Sequence, residues 1–235
     1  MNTRDLREAC CAANRQLPAT GLVDLTFGNV SVCDRALGVF AIKPSGVPYD
    51  QLTPDHMVVL DFDGQVVEGT LKPSSDEPTH RLLLRHLPEV ITSVVHTHSR
   101  NAVAFAQAGR DLPCLGTTHS DYFLGPVPVT RALTPDEVSG AYEAATGEVI
   151  LECFQDRDPV ACPAVLVRHH GPFTWGENAP KAVENALALD ICADLARRTL
   201  ALDSAAKPVP SHLLHKHHSR KHGPDAYYGQ NPIKT

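Results

Sequence analysis

Apolar side chains recur along this chain with two different periods. In residues 3–17 and 178–202 they return every three to four positions, which predicts two amphipathic helices. Pro18 and Gly21 follow the first of these helices and act as stop signals. The same spacing predicts shorter helices in four further segments, which are residues 79–87, 99–109, 134–151 and 211–223.

Runs of β-branched and aromatic residues predict the strands. Such runs lie in residues 39–43, 91–98 and 163–171. Residues 57–69 carry two apolar runs on either side of the dipeptide Asp63-Gly64, which predicts a β-hairpin. Residues 25–32 contain a glycine and are predicted to form a loop.

Helices and strands therefore share the whole length of the chain. With 235 residues, 43% of them hydrophobic and 20% charged, the chain is long enough for one sizeable core. We expect an α/β fold, in which a single domain over residues 1–235 has a mixed central β-sheet flanked by helices.

Composition and charge exclude several classes of partner. No apolar run approaches the roughly 18 residues that cross a bilayer, and no secretion signal begins the chain, so we expect a cytoplasmic protein without membrane contacts. The net charge of −6 argues against nucleic acid as a partner. The seven cysteines form no CxxC pair, which argues against a disulfide framework and a cysteine zinc site.

Histidine is the unusual residue type, because the chain has 13 and five of them lie in the last 24 residues. Basic residues also outnumber acidic residues five to one after Asp203. This end of the chain is interpreted either as a solvated terminus, as a segment that reaches a small anionic ligand, or as a buffer for zinc.

Two predicted strands end in histidines that can meet one metal ion. His96 and His98 are two residues apart, so both side chains face the same way at the end of a strand. His169 and His170 end the other strand, and only one of them can join. Three imidazoles suit Zn²⁺ and leave a coordination position open for substrate. Asp76 is a candidate fourth ligand or base, although its position before a helix favours a helix cap.

Three short segments indicate an anion site. Backbone N–H groups and small hydroxyls at turns bind phosphate oxygens well, and Lys43 lies nearby in sequence. Each segment alone is more typical of a plain turn, but together they make a phosphorylated substrate plausible. The segments are Gly28-Asn29, Ser45-Gly46 and Ser74-Ser75.

A longer set of motifs carries a family resemblance. In order along about nine tenths of the chain stand LTFGNVSVCDR, FAIKPSGVPYD, EGTLKPSSDEPTHRLL, VVHTHSRNAVAFAQAG, GTTHSDYFLG, VLVRHHGPFTWG and RKHGPDAYYGQ. This pattern resembles the class II aldolase/L-ribulose-5-phosphate 4-epimerase family, and specifically its epimerase branch. Two features depart from the pattern: Arg168 stands where some relatives have a histidine, and NPIKT extends the chain beyond YYGQ.

The resemblance implies a role for each candidate residue. One Zn²⁺ or other divalent ion per chain would be held by Asp76, His96, His98 and His170. The sugar phosphate would contact Gly28, Asn29, Lys43, Ser45, Gly46, Ser74, Ser75 and His217. Asp121 and Tyr228 would form an acid/base pair. The resemblance also implies a homotetramer with active sites between subunits, to which the tail of residues 207–235 contributes.

The implied reaction is metal-dependent epimerisation at C4 of L-ribulose 5-phosphate to D-xylulose 5-phosphate, as in arabinose catabolism. The C4 proton is not acidic, so the family breaks the C3–C4 bond by a retro-aldol step, turns the aldehyde, and rebuilds the bond. Three alternatives stay open: an aldolase acting on fuculose 1-phosphate or a similar sugar phosphate, an epimerase linked to L-xylulose 5-phosphate in an ascorbate-type pathway, and a non-catalytic histidine-rich zinc-binding protein.

Overall fold

One seven-stranded sheet organises the computed structural model, which describes residues 2–224 and 226–228. The order of the strands across the sheet is β4-β3-β2-β1-β5-β7-β6. The strands are β1 (Asn29–Asp34), β2 (Val39–Ile42), β3 (Val58–Asp61), β4 (Val66–Glu68), β5 (Ser93–His96), β6 (Ala164–Leu166) and β7 (Pro172–Gly176). Strand β5 is therefore flanked on both sides, by β1 and by β7.

Eight α-helices connect and cover these strands in the described part of the chain. They are α1 (Thr3–Thr20), α2 (Glu77–His86), α3 (Arg100–Ala108), α4 (Thr117–Ser120), α5 (Pro135–Ser139), α6 (Tyr142–Glu152), α7 (Ala179–Leu202) and α8 (Ser211–His222). Two 3-10 turns, Tyr49–Gln51 and Pro54–His56, lie between β2 and β3. None of the helices in these ranges combines the length and apolar character needed to cross a bilayer.

The expected α/β fold with helices around a central sheet is confirmed. The sheet itself is antiparallel, because all six pairings between its seven strands run in opposite directions. A parallel contact occurs only as an isolated bridge between Val129 and Leu166 among the described residues.

Alternate residues of the strands face two separate hydrophobic layers. Val30, Val95 and their neighbours pack with α1 and α7 on one face, whereas Val94, Phe40 and Trp175 pack with α2 and α6 on the other. This alternation follows from the two-residue period of a strand. The sheet is thus covered by helices on both faces.

Several segments differ from the sequence prediction. Residues 29–34 form strand β1, not a loop, because they pair on both sides and are buried between β2 and β5. Residues 172–176 form β7, which pairs with β5 and was not predicted. The helix expected over residues 134–151 is two helices, since the chain turns at Gly140, where the backbone lies at φ −94° and ψ −126°.

Helix α1 runs three residues beyond the predicted end and is bonded to the sheet. Pro18 stands in its last turn, and Gly21, with φ +74°, closes it by donating its N–H to the Pro18 carbonyl at 3.2 Å. The buried Asn14 amide accepts from the Val30 N–H at 2.9 Å and donates to the Val30 carbonyl at 3.0 Å. A helix side chain thereby fixes the start of β1.

Leu83 is expected to carry a large share of the α2 packing energy. It is fully buried in the layer that contains Trp175, the single tryptophan of the chain. Leu83→Ala should lower the free energy of unfolding by about 2–5 kcal/mol, because it leaves a cavity. Denaturant titration followed by Trp175 fluorescence measures the change. The control Val67→Ala, on the exposed surface of β4, should cost under about 0.5 kcal/mol; equal losses in both variants would contradict the assignment.

Candidate active site

Three histidine rings converge at the end of the central strand. His96 is the last residue of β5, His98 follows two residues later, and His170 lies in the connection between β6 and β7. One ring nitrogen from each lies within 4.8 Å of the others, and the Nε2 atoms of His96 and His98 are 3.1 Å apart. The structure therefore brings together the three predicted imidazoles.

His169 takes no part in this group because of the local turn. Its backbone has φ +63°, a left-handed conformation, while the Val167 N–H donates to the Gly171 carbonyl at 2.9 Å. The His169 ring instead accepts from the Arg168 Nε at 3.3 Å. Only one of the two histidines joins the site, as expected, but the expected strand ending at His169 and His170 was wrong, because β6 ends at Leu166 and the turn directs His170 inward.

Two glycines allow the chain to close around His96. A Cβ on Gly28 would lie 2.8 Å from the His96 carbonyl oxygen, and Gly28 also has φ +85°. A Cβ on Gly171 would lie 2.8 Å from the Thr97 carbonyl oxygen. At either position a Cβ would overlap a backbone carbonyl oxygen, and the backbone would have to shift to relieve the overlap. Glycine is therefore required at both positions.

The buried surroundings prepare His96 to bind a cation. Burial lowers the pKa of His96 to about 3, which keeps the ring neutral. Its Nδ1 lies 2.9 Å from the Pro172 carbonyl oxygen, so Nδ1 carries the proton and donates it there. The Nε2 lone pair then faces His98 and His170. Neutral imidazoles with converging nitrogens fit a divalent metal ion.

Asp76 lines one cavity together with the three histidines, and its side chain does not cap helix α2. It precedes α2, yet its carboxylate makes no capping bond and instead accepts from the Asn29 Nδ2 at 2.7 Å. Burial alone would raise the pKa of Asp76, but the hydrogen bond from the Asn29 amide stabilises the carboxylate, and the pKa lies below its ordinary value. The helix-cap interpretation was wrong, and an ionised carboxylate is available beside the three histidines.

Every segment of the predicted anion site lines this cavity, whose volume is about 410 Å³. The cavity wall includes Gly28, Asn29, Lys43, Ser45, Gly46, Ser74 and Ser75 together with Asp76, His96, His98 and His170. The turns at 43–46 and 72–76 are bonded to each other, because Ser45 N–H donates to Lys72 and Ser74 N–H donates to Lys43. Those two N–H groups are therefore used within the protein, and the serine hydroxyls remain on the wall.

Lys43 gives one wall of the cavity a buried positive charge. Its side chain lies over the Tyr49 ring, 5.0 Å from the centroid, and burial lowers the pKa of its ammonium group. A buried cation of this kind gains free energy when an anion reaches it. Lys43 is thus suited to a phosphate oxygen.

Sequence reasoning missed several residues on the same wall. Tyr142 and Glu143, at the start of α6, and Thr26 and Phe27, before β1, also line the cavity. Phe27 stacks on the His98 ring with centroids 5.7 Å apart. The break at Gly140 was the available signal for Tyr142 and Glu143, since a helix that begins at 142 places them in its first turn.

The remaining predicted residues form a second group outside this cavity. Asp121 accepts from the Nδ1 of His217 at 3.0 Å and from the Nη2 of Arg220 at 2.7 Å, both on α8. The Arg220 guanidinium carbon lies 4.7 Å from the centroid of the Tyr228 ring. Within one chain, Asp121, His217 and Tyr228 are not wall residues of the histidine cavity. Residues 225 and 229–235, with the NPIKT extension, lie outside the described residues.

The Asp121 carboxylate anchors α8 electrostatically. Partial burial would raise the pKa of Asp121, but the hydrogen bonds from Arg220 and His217 hold it below the ordinary value. His222 adds a bond from its Nε2 to the Asp121 carbonyl at 2.9 Å. The histidine-rich segment is therefore an ordered helix bonded to Asp121.

Residues 8–196 match the sequence profile of the family described as class II aldolase and adducin N-terminal domain. A protein named L-ribulose-5-phosphate 4-epimerase UlaF from Salmonella paratyphi B is 49% identical over 225 residues, covering 96% of this chain and 98% of that protein. The protein of that name from Salmonella typhi is 48% identical over the same shares.

Solved structures share the fold. A structure described as L-fuculose 1-phosphate aldolase superposes with a TM-score of 0.78 at 23% identity, covering 92% of this chain and 95% of its own. The L-fuculose-1-phosphate aldolase from Thermus thermophilus has a TM-score of 0.68 at 28% identity, with coverages of 88% and 100%. The first of these similarities concerns the architecture alone.

Replacing Asp121 is expected to loosen α8. Asp121→Asn removes the ion pair with Arg220, so the opening free energy of α8 should fall by about 1.5–3 kcal/mol. Hydrogen exchange of the α8 amides measures this. The control Asp194→Asn breaks more exposed ion pairs on α7 and should change the exchange of that helix little, because solvent screens such pairs. Unchanged α8 exchange in Asp121→Asn would show that the carboxylate is not the anchor.

Proposed function

Because the chain belongs to the class II aldolase and adducin N-terminal domain family, we propose that it epimerises L-ribulose 5-phosphate at C4 to give D-xylulose 5-phosphate. The observation that carries this proposal is one cavity lined by three converging imidazoles, by serines and by a buried lysine. The relatives at 49% and 48% identity, which are named as epimerases of this sugar phosphate, support the same substrate.

Members of this family depend on a metal, and the three histidines can hold a divalent ion. We assign Zn²⁺, one per chain, to His96, His98 and His170, with Asp76 as a further ligand or adjacent base. As a Lewis acid the ion would stabilise negative charge on the sugar oxygens next to the bond that breaks. The protein's own contribution is a set of neutral imidazoles with fixed orientation.

The sugar phosphate would bind with its phosphate toward Lys43 and the turns at 43–46 and 72–76. Lys43 supplies positive charge, and Ser45 and Ser75 supply hydroxyl groups. Asn29 donates to both Asp76 and Ser74, so it links the histidine end of the cavity to the phosphate end. Its Oδ1 is buried without a partner among the described residues. Such contacts hold the two-carbon aldehyde fragment while it turns.

The acid/base pair is assigned to Asp121 and Tyr228. For one epimer, one of the two takes the proton of the C4 hydroxyl as the C3–C4 bond breaks, and the other returns a proton on the opposite face. Neither residue lines the histidine cavity of its own chain. We therefore assign both to the cavity of a neighbouring copy in a homotetramer, with His217 holding Asp121 in place.

The alternatives differ in what they predict. A fuculose-phosphate type aldolase would release a cleaved aldehyde, and solved structures of that description share this fold. An epimerase of an ascorbate-type pathway would use the same residues on the same class of sugar. A zinc-buffering protein would bind metal through the histidines of α8. Two of them, His217 and His222, are instead bonded to Asp121.

Epimerase activity and metal content should depend together on His98. The purified chain is expected to convert L-ribulose 5-phosphate in a coupled assay, to stop with chelator, and to contain one ion per chain. His98→Ala should lose both ion and activity, whereas His212→Ala, on the exposed start of α8, should keep both. Cleavage without epimerisation would favour the aldolase, and a full zinc content in His98→Ala would contradict the ligand set.

Tyr228 should affect turnover but not metal binding. Tyr228→Phe removes one hydroxyl and is expected to slow turnover by about 10²–10⁴, the usual range for a general acid or base. The steady-state rate in both directions measures this, and metal analysis shows that the ion is retained. Tyr227→Phe, the neighbouring exposed tyrosine, should stay near the original rate. A Tyr228→Phe enzyme that also stays near it would exclude the acid/base role.

A further inference from the structure

The histidines of the metal centre differ in how their second ring nitrogen is held. The Nδ1 of His96 is bonded to the Pro172 carbonyl at 2.9 Å. The Nδ1 of His170 lies 3.4 Å from the hydroxyl oxygen of Tyr142. A metal-binding histidine needs such a partner, because the partner fixes which nitrogen carries the proton and how the ring is turned.

We propose that Tyr142 is a positioning residue of the metal centre, which orients His170 by accepting its Nδ1–H and leaves Nε2 for the ion. This inference rests on the proposed metal centre, and it does not depend on which sugar phosphate is the substrate. It gives a role to a side chain that the sequence pattern placed in the middle of a helix.

Tyr142 is rigidly placed, as a positioning residue must be. It is the first residue of α6, and its carbonyl accepts from the Thr146 hydroxyl at 2.9 Å. The next carbonyl, that of Glu143, accepts from Thr79 of α2 at 2.5 Å. Helices α2 and α6 pack closely at Gly147, where a Cβ would lie 2.9 Å from the Leu82 Cδ1. The helix that carries Tyr142 is therefore fixed to the helix that Asp76 precedes.

His170 depends on such a partner more than His96 does. His96 ends a strand that is paired on both sides, and Phe173 stacks on its ring at 4.2 Å. His170 instead lies in the turn between β6 and β7, where its N–H donates to the Val167 carbonyl at 3.0 Å. The His170 ring makes an edge contact with His96 and a tilted contact with Tyr142. The hydroxyl of Tyr142 is thus the polar group that sets the ring orientation.

The Tyr142 hydroxyl can make both contacts that this role requires. Its oxygen lies 3.4 Å from the His170 Nδ1, and a phenol oxygen can accept from a ring N–H. Its own proton is then free to be donated within the cavity that it lines. The Tyr142 hydroxyl oxygen therefore contacts His170, and Tyr142 also lines the cavity in which the substrate would bind.

The test is metal affinity in Tyr142→Phe, which removes only the hydroxyl. The Kd for Zn²⁺, measured by competition with a chromophoric chelator on the full-length protein, should rise by about 10–100-fold. The visible spectrum of the Co²⁺-loaded protein should also change, because the His170 ring is reoriented. Tyr227→Phe is the matched control and should leave both measurements unchanged.

The outcomes separate this proposal from the proposed function. A Tyr142→Phe protein with the original Zn²⁺ affinity and Co²⁺ spectrum overturns the positioning role, and the epimerase assignment then stands on its own assay. A weaker Kd with an unchanged thermal midpoint of the metal-free protein supports the role, since a purely structural loss would lower that midpoint. An original chain that binds no ion would overturn the metal centre itself.

Discussion

The close approach of three chain segments at the end of β5 is the constraint on which the site depends. Residue pairing places Asn29 of β1 and Phe173 of β7 on either side of His96. Gly28 and Gly171 precede those two strands, and both come so near the backbone around His96 that a Cβ would overlap it. Because His96 ends a strand paired on both sides, and His98 and His170 lie within two residues of β5 and β7, the sheet brings the three imidazoles together.

Helices complete the site from one face of the sheet. Asp76 precedes α2 and Tyr142 begins α6, and the two helices pack against each other at Gly147. The turn at Gly140 interrupts a helical pattern so that a new helix starts beside the cavity. The same packing that buries Leu83 in the core therefore also positions polar side chains at the cavity wall.

Charged and polar groups of two kinds lie in two separate parts of the structure, the histidine cavity and the contact between Asp121 and α8. Burial keeps His96 neutral, while the hydrogen bond from the Asn29 amide favours the ionised form of Asp76, so the histidine cavity is prepared for a cation. The Asp121 carboxylate is occupied by Arg220 and His217 and anchors the basic helix α8. The histidines of the chain end, unusual by their number, thus belong to a helix bonded to the protein body.

Local sequence patterns were sufficient to predict the α/β class, the helices α1, α2, α3, α7 and α8, the hairpin of β3 and β4, and the residue types around a metal and phosphate cavity. Periodicity and motif spacing are local, so they carry this information directly. Tertiary pairing and packing decided strand β1, strand β7 and the break at Gly140. Local sequence patterns carry no information about such contacts. Only the tertiary structure could show that Asp76 turns away from its helix toward Asn29, and that Tyr142 reaches His170 across 28 residues. Those contacts join segments distant in sequence, and the sheet together with the packing of α2 against α6 brings them within hydrogen-bond distance.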